Sequence, residues 1–120
     1  MHILCVDDDP LVRNVTCDML RDLGHKVSET SNGNQGLSRL RQTGDAIDVL
    51  ITDIRMPGLD GLRFAQIARG DRPNLPIIFF SAYAPVESPD EFYSIRLQKP
   101  CSLGALDAAI TKMASRLTPG

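Results

Sequence analysis

The chain has 120 residues, of which 42% are apolar and 23% charged, a balance that supplies one core and excludes a disordered segment; one domain over residues 1–120 is expected. A formal charge of -2, with Lys and Arg scattered along the chain, gives no electrostatic reason to bind a polyanion, so nucleic acid is not expected as a direct partner. Cys5, Cys17 and Cys101 include no C-x-x-C pair, which argues against both a disulfide framework and a thiolate zinc site.

Ile3 to Val6 is a short apolar run rich in β-branched residues that ends on Asp7-Asp8, and it reads as a strand. Asp9 follows as an N-cap with Pro10 at the first helical position. Leu11, Val12, Val15, Met19 and Leu23 then recur on one side until Gly24 stops the helix. Lys26 to Thr30 is a weaker strand, and Leu37 and Leu40, bounded by Gly33 and Gly44, suggest a weaker helix. Val49 to Thr52 is the third strand and ends on Asp53. Beyond it, Pro57-Gly58 makes a tight turn and Asp60 is placed to cap a helix that begins near Gly61 and carries Leu62, Ala65 and Ala68 as far as Gly70. Met56, in the same loop, reads as packing. Ile77 to Phe80 is the fourth strand, ending on Ser81, and Ser94 to Gln98 is a weaker fifth, ending on Lys99. Ser102 then caps a last helix whose Leu103, Leu106, Ile110, Met113 and Leu117 make one stripe that should pack on the sheet.

Strands and helices alternate, and the strands are too continuously apolar to have a wet face. A doubly wound α/β fold follows, with a five-stranded parallel sheet covered on both sides and a strand order of 2-1-3-4-5. Ligands of such sheets sit outside the carboxyl ends of the strands, at the switch point beside the first and third. Asp7, Asp8, Asp53, Ser81 and Lys99 all follow strand ends and should meet at that edge. Three carboxylates gathered there would repel one another unless a cation joined them. Hard oxygen ligands with room for water suit Mg2+, and the ammonium of Lys99 suits phosphoryl oxygens. Any one of these residues alone is commonly just a surface charge; the conjunction carries the reading. Asp9 is read as a helix cap and is left out of the site.

Val6-Asp7-Asp8-Asp9-Pro10, Asp53-Ile54-Arg55-Met56-Pro57-Gly58-Leu59-Asp60-Gly61, Ser81-Ala82 and Lys99-Pro100 together resemble a receiver domain of two-component response regulators, over essentially the whole chain. The resemblance implies a flavodoxin- or CheY-like three-layer sandwich in which Asp53 accepts a phosphoryl group, Ser81 donates its hydroxyl to that group and Lys99 pairs with it. It also implies Mg2+, or Mn2+ in its place, held by Asp7, Asp8, Asp53 and the backbone carbonyl of Arg55, and a cis Lys99-Pro100 peptide. The phosphoryl donor would be a histidine kinase or histidine phosphotransfer protein, and a downstream protein of unknown identity would read the switched state. The chain would act as a phosphoacceptor rather than as an enzyme on other substrates. Met1-His2-Ile3 enters structure with no basic stretch before an apolar one, and no apolar run approaches the roughly 20 residues of a membrane span, so a soluble cytoplasmic protein is expected.

The chain also departs from the family pattern. Only seventeen residues separate Ser81 from Lys99, and Pro85 and Pro89 lie among them, so the helix between the fourth and fifth strands should be shortened or missing. Arg96 stands where receivers usually carry an aromatic switch residue, and burying it unpaired would be costly. Pro76 to Tyr83 resembles the FAT GUY variant of single-domain response regulators, in which case Tyr83 takes part in the switch. Arg55 and Tyr83 would flank the phosphoryl group, with Tyr83 shielding it from water. Two alternatives use the same residues differently. One is a phosphohydrolase of the haloacid dehalogenase type, with the nucleophile on the first strand, and the other a receiver-like interaction module that is never phosphorylated.

Overall fold

In the computed structural model, residues 1–42, 46–81, 94–99 and 102–117 are described, without the side chains of 81, 94–96, 98 and 115–117. The elements run β1 (His2–Val6), α1 (Pro10–Asp22), β2 (Lys26–Thr30), α2 (Gly33–Leu40), β3 (Val49–Thr52), α3 (Gly61–Asp71), β4 (Ile77–Ser81), β5 (Ser94–Gln98) and α4 (Leu103–Leu117). All five strands are parallel, in the order β2-β1-β3-β4-β5, as the alternating pattern implied. The segment between β4 and β5, Tyr83 and the Lys99-Pro100 peptide lie outside the described residues, as does the side chain of Arg96.

Every residue of β1 and β3 is buried, and alternate residues serve opposite layers. Leu4, Val6, Leu50, Ile77 and Phe79 pack with Leu37 of α2 and with Phe64, Ala65 and Ala68 of α3. Ile3, Val49, Ile51, Ile78 and Phe80 pack on the other face with Leu20 of α1 and with Leu106, Ala109, Ile110 and Met113 of α4. The period of two in a strand buried on both sides therefore makes two cores and three layers. Met56 is buried in the first core, as its packing reading anticipated. The edge strand β2 is only partly covered and carries Lys26 and Glu29, charges that discourage pairing with a further strand.

The predicted caps of the first, third and last helices are present. Asp9 accepts from the N–H groups of Leu11 and Val12, Asp60 from that of Arg63 and Ser102 from that of Ala105. One expectation about the helices needs correction. The face of α1 turned to the sheet is Thr16, Cys17 and Leu20, with Met19 and Leu23 at its margin, whereas Leu11 and Val15 are 76% and 59% exposed. Thr16 tolerates burial because its hydroxyl donates to the Val12 carbonyl one turn back. α2 begins at Gly33, one of the two glycines expected to bound it, and Asn32 is its cap, its side chain accepting from Gln35 N–H at 2.8 Å. Cys5 and Cys17 are free, buried thiols. No helix among the described residues is long and apolar enough to cross a membrane.

Candidate functional site

Parallel pairing brings the strand ends to one edge. Val6 lies beside Thr52 in the sheet, so Asp7 and Asp53 are the next residues on neighbouring strands, and Asp53 N–H donates to the Val6 carbonyl at 3.0 Å. Ser81 pairs with Gln98, the residue before Lys99. The sheet thus places the backbone of Ser81 at the same edge as the three aspartates and the lysine.

The side chains of Asp7, Asp53 and Lys99 are almost closed off, with 4%, 13% and 13% exposure. Lys99 Nζ donates to Asp7 Oδ2 at 2.7 Å and to Asp53 Oδ2 at 3.0 Å. Burial alone would pull the lysine pKa down, but the hydrogen bonds and negative charges of Asp7 and Asp53 outweigh it and hold the ammonium above its ordinary value. Its stabilising contribution is therefore complete below the ordinary lysine pKa and is lost only as pH rises through the raised one.

The second oxygen of each carboxylate is tied to its own loop. Asp7 Oδ1 accepts from Asp9 N–H at 3.0 Å, and Asp53 Oδ1 from Arg55 N–H at 3.3 Å. Asp8 is exposed, and it completes a group with Asp7 and Asp53 in which one oxygen from each lies within 4.8 Å of the others. Three hard oxygen donors with an open side toward water fit Mg2+ far better than a soft metal.

Two supports of this edge escaped the sequence reading. Arg13 Nη1 donates to the Asp7 carbonyl at 2.7 Å while its Nε reaches Glu29 at 3.2 Å, so a cation one turn into α1 pins the loop that carries the acidic pair. No spacing of residue types signals this contact, which depends on the rotamer of a long side chain. Phe80 is the other: the Lys99 ammonium lies 5.4 Å from its ring centroid.

The loop after Asp53 is held by close backbone approach. Gly58 has φ of 77°, which favours glycine, and confirms the tight turn after Pro57. Gly61 N–H donates to the Ile54 carbonyl at 2.7 Å, and a Cβ on Gly61 would collide with the Asp53 carbonyl oxygen. Gly61→Ala must therefore push α3 away from the strand end. A loss of about 2–3 kcal/mol in urea unfolding is expected, with weaker Mg2+ binding because Asp53 moves with its backbone.

The profile of the response regulator receiver domain matches residues 3–111. The sensor histidine kinase RcsC of Salmonella typhi is 32% identical over 98% of this chain, and the match covers 13% of the kinase. The two-component response regulator ORR22 of Oryza sativa subsp. indica is 35% identical over 68% of this chain and 12% of its own length. The chain thus spans only about an eighth of the length of these curated relatives. Among solved structures, a response regulator receiver protein from Sinorhizobium medicae superposes with a TM-score of 0.84 at 32% identity, covering 97% of this chain and 96% of that one. The regulator TrrA of Thermotoga maritima, solved in complex with Mg2+ and BeF, gives 0.83 at 28% identity over 93% and 97%. With the strand order, the acidic group and the strand-end lysine in place, the chain belongs to the response regulator receiver domain family, the receivers of two-component phosphorelay signalling.

Proposed function

We propose that the chain forms one receiver unit over residues 1–120 and accepts a phosphoryl group on Asp53 from a phosphohistidine of a histidine kinase or phosphotransfer protein. The observation that carries this is the Lys99 ammonium bridging Asp7 and Asp53 at 2.7 and 3.0 Å on a nearly closed sheet edge. A carboxylate oxygen of Asp53 attacks phosphorus. The N–P bond of the donor breaks, its electron pair returns to the imidazole nitrogen, and an acyl phosphate forms on Asp53. Lys99 is placed to pair with the arriving phosphoryl oxygens, and Ser81, at the end of β4, is the residue assigned to donate a hydroxyl to them. Asp7, Asp8, Asp53 and the Arg55 carbonyl would hold Mg2+, which when bound offsets the negative charge that gathers as phosphate meets three carboxylates.

The added dianion, met by Lys99 and Ser81, then biases the loop ends of β4 and β5 between two arrangements, and the surface around β4, β5 and α4 presents the change to a downstream protein. The phosphohydrolase alternative would put the nucleophile on Asp7. The side chain of Asp7 is 4% exposed against 13% for Asp53 and holds the shorter ion pair to Lys99, so it is the less accessible of the two and this alternative is disfavoured.

Incubation with acetyl phosphate and Mg2+, borohydride trapping and peptide mass mapping test this reading. One phosphoryl group, mapped to Asp53, is the expected result. A protein that stays unmodified with every small phosphodonor, or an adduct that maps to Asp7, would overturn it.

A further inference from the structure

Asp7 and Asp53 each face two demands. Their carboxylates hold the Lys99 ammonium, and they are also two of the three residues whose oxygens converge for a divalent cation. A cation that draws those oxygens weakens both ion pairs at once. Lysine has a flexible four-carbon stem and a strongly hydrated head, so an ammonium released by its carboxylates tends to swing toward water. The Phe80 ring is the described partner of Lys99 that carries no formal charge and offers no oxygen, and so it does not compete for the cation.

The geometry of the sheet explains why that ring is there. Phe80 pairs with Leu97 on β5, and Lys99 lies two residues further along, so Leu97 and Lys99 project to the same side. That side is the core shared with α4, where Phe80 is 4% exposed and packs in one cluster with Leu106 and Ile110, while Leu97 lies at the margin. The ring is fixed by its neighbours and keeps a face for the ammonium, 5.4 Å from its centroid.

We propose that Phe80 is a positioning residue for Lys99, its ring face keeping the ammonium at the sheet edge when Asp7 and Asp53 are shared with a divalent cation. The contact does not depend on phosphoryl acceptance; only its purpose rests on that reading. A partly desolvated cation–π contact of this kind favours the held position by about fivefold.

Two measurements on the whole chain test the proposal. In the first, the Lys99 ε-methylene resonances are followed by NMR while Mg2+ is added. An upfield ring-current shift is expected before and after saturation, and it should vanish in Phe80→Leu. A shift that collapses to the free-lysine position as Mg2+ binds would show that the ring does not hold the ammonium in the loaded state, and the proposal would fall. In the second, Phe80 is replaced by 4-fluorophenylalanine and by 3,4,5-trifluorophenylalanine, which change the ring volume little while depleting its face of negative potential. Acyl phosphate formation from acetyl phosphate is expected to slow in graded steps, reaching about fivefold in the trifluoro protein. Equal rates across the series would mean that Phe80 only fills space, and would overturn the idea. If the parent protein accepts no phosphoryl group, the acceptor reading fails by itself and the NMR titration decides the positioning role alone.

Discussion

Asp53→Asn is expected to form no phosphoryl adduct with acetyl phosphate and to bind Mg2+ at least tenfold more weakly than the parent, with its fold intact. The amide keeps the shape of the carboxylate, so packing at the end of β3 is unchanged. It is no longer an anionic nucleophile, and it gives the cation a neutral oxygen in place of a charged one. Three carboxylates against one ammonium leave two uncompensated negative charges at this edge, and the substitution leaves one. Lys99 retains Asp7 at 2.7 Å, the shorter of its two ion pairs. The metal-free variant should therefore unfold at a urea concentration no lower than the parent, because lost attraction is offset by relieved repulsion. Intact-protein mass, titration calorimetry with Mg2+ and urea denaturation measure the three effects separately. An adduct that persists in Asp53→Asn would move the nucleophile to Asp7 or Asp8 and undo the assignment.

The strands and the acidic edge were readable in the sequence for one reason: a strand buried on both faces has to be apolar throughout, so polar residues at its end stand out. Asp7, Asp8, Asp53 and Lys99 were each found that way, and Asp9 and Asp60 were read as caps because an acidic residue before Pro10 and before Gly61 has a local job to do. The face of α1 was harder. Leu11, Val15 and Met19 share a helical stripe, but the sheet is approached by the neighbouring stripe of Thr16, Cys17 and Leu20. Small side chains let a helix sit close, and a hydroxyl that bonds its own backbone costs little inside, so hydrophobicity alone turns the helix the wrong way. Arg13 and Phe80 were out of reach for a different reason. Their contacts with the Asp7 carbonyl and with Lys99 depend on strand register and on which rotamer a long side chain adopts, and neither is written in the spacing of residue types.

Lys99→Met should act in the opposite sense to Asp53→Asn on the cation and in the same sense on chemistry. Methionine keeps most of the apolar stem beside Phe80 but brings no charge, so Asp7 and Asp53 lose the ion pairs at 2.7 and 3.0 Å. Stripping the partner from a buried carboxylate costs about 3–5 kcal/mol when the site is fully dry; at an edge that water can reach, about 2 kcal/mol is expected in metal-free buffer. The unpaired carboxylates then bind a dication without first displacing an ammonium, and Mg2+ affinity should rise about tenfold, which is roughly 1.4 kcal/mol of recovered stability. Acyl phosphate formation should nevertheless slow sharply, because the arriving phosphoryl oxygens find no ammonium. Urea unfolding with and without Mg2+, together with calorimetry, tests the competition directly. If the variant binds Mg2+ no more tightly than the parent, Lys99 and the cation do not share these two carboxylates, and the edge works by some other division of charge.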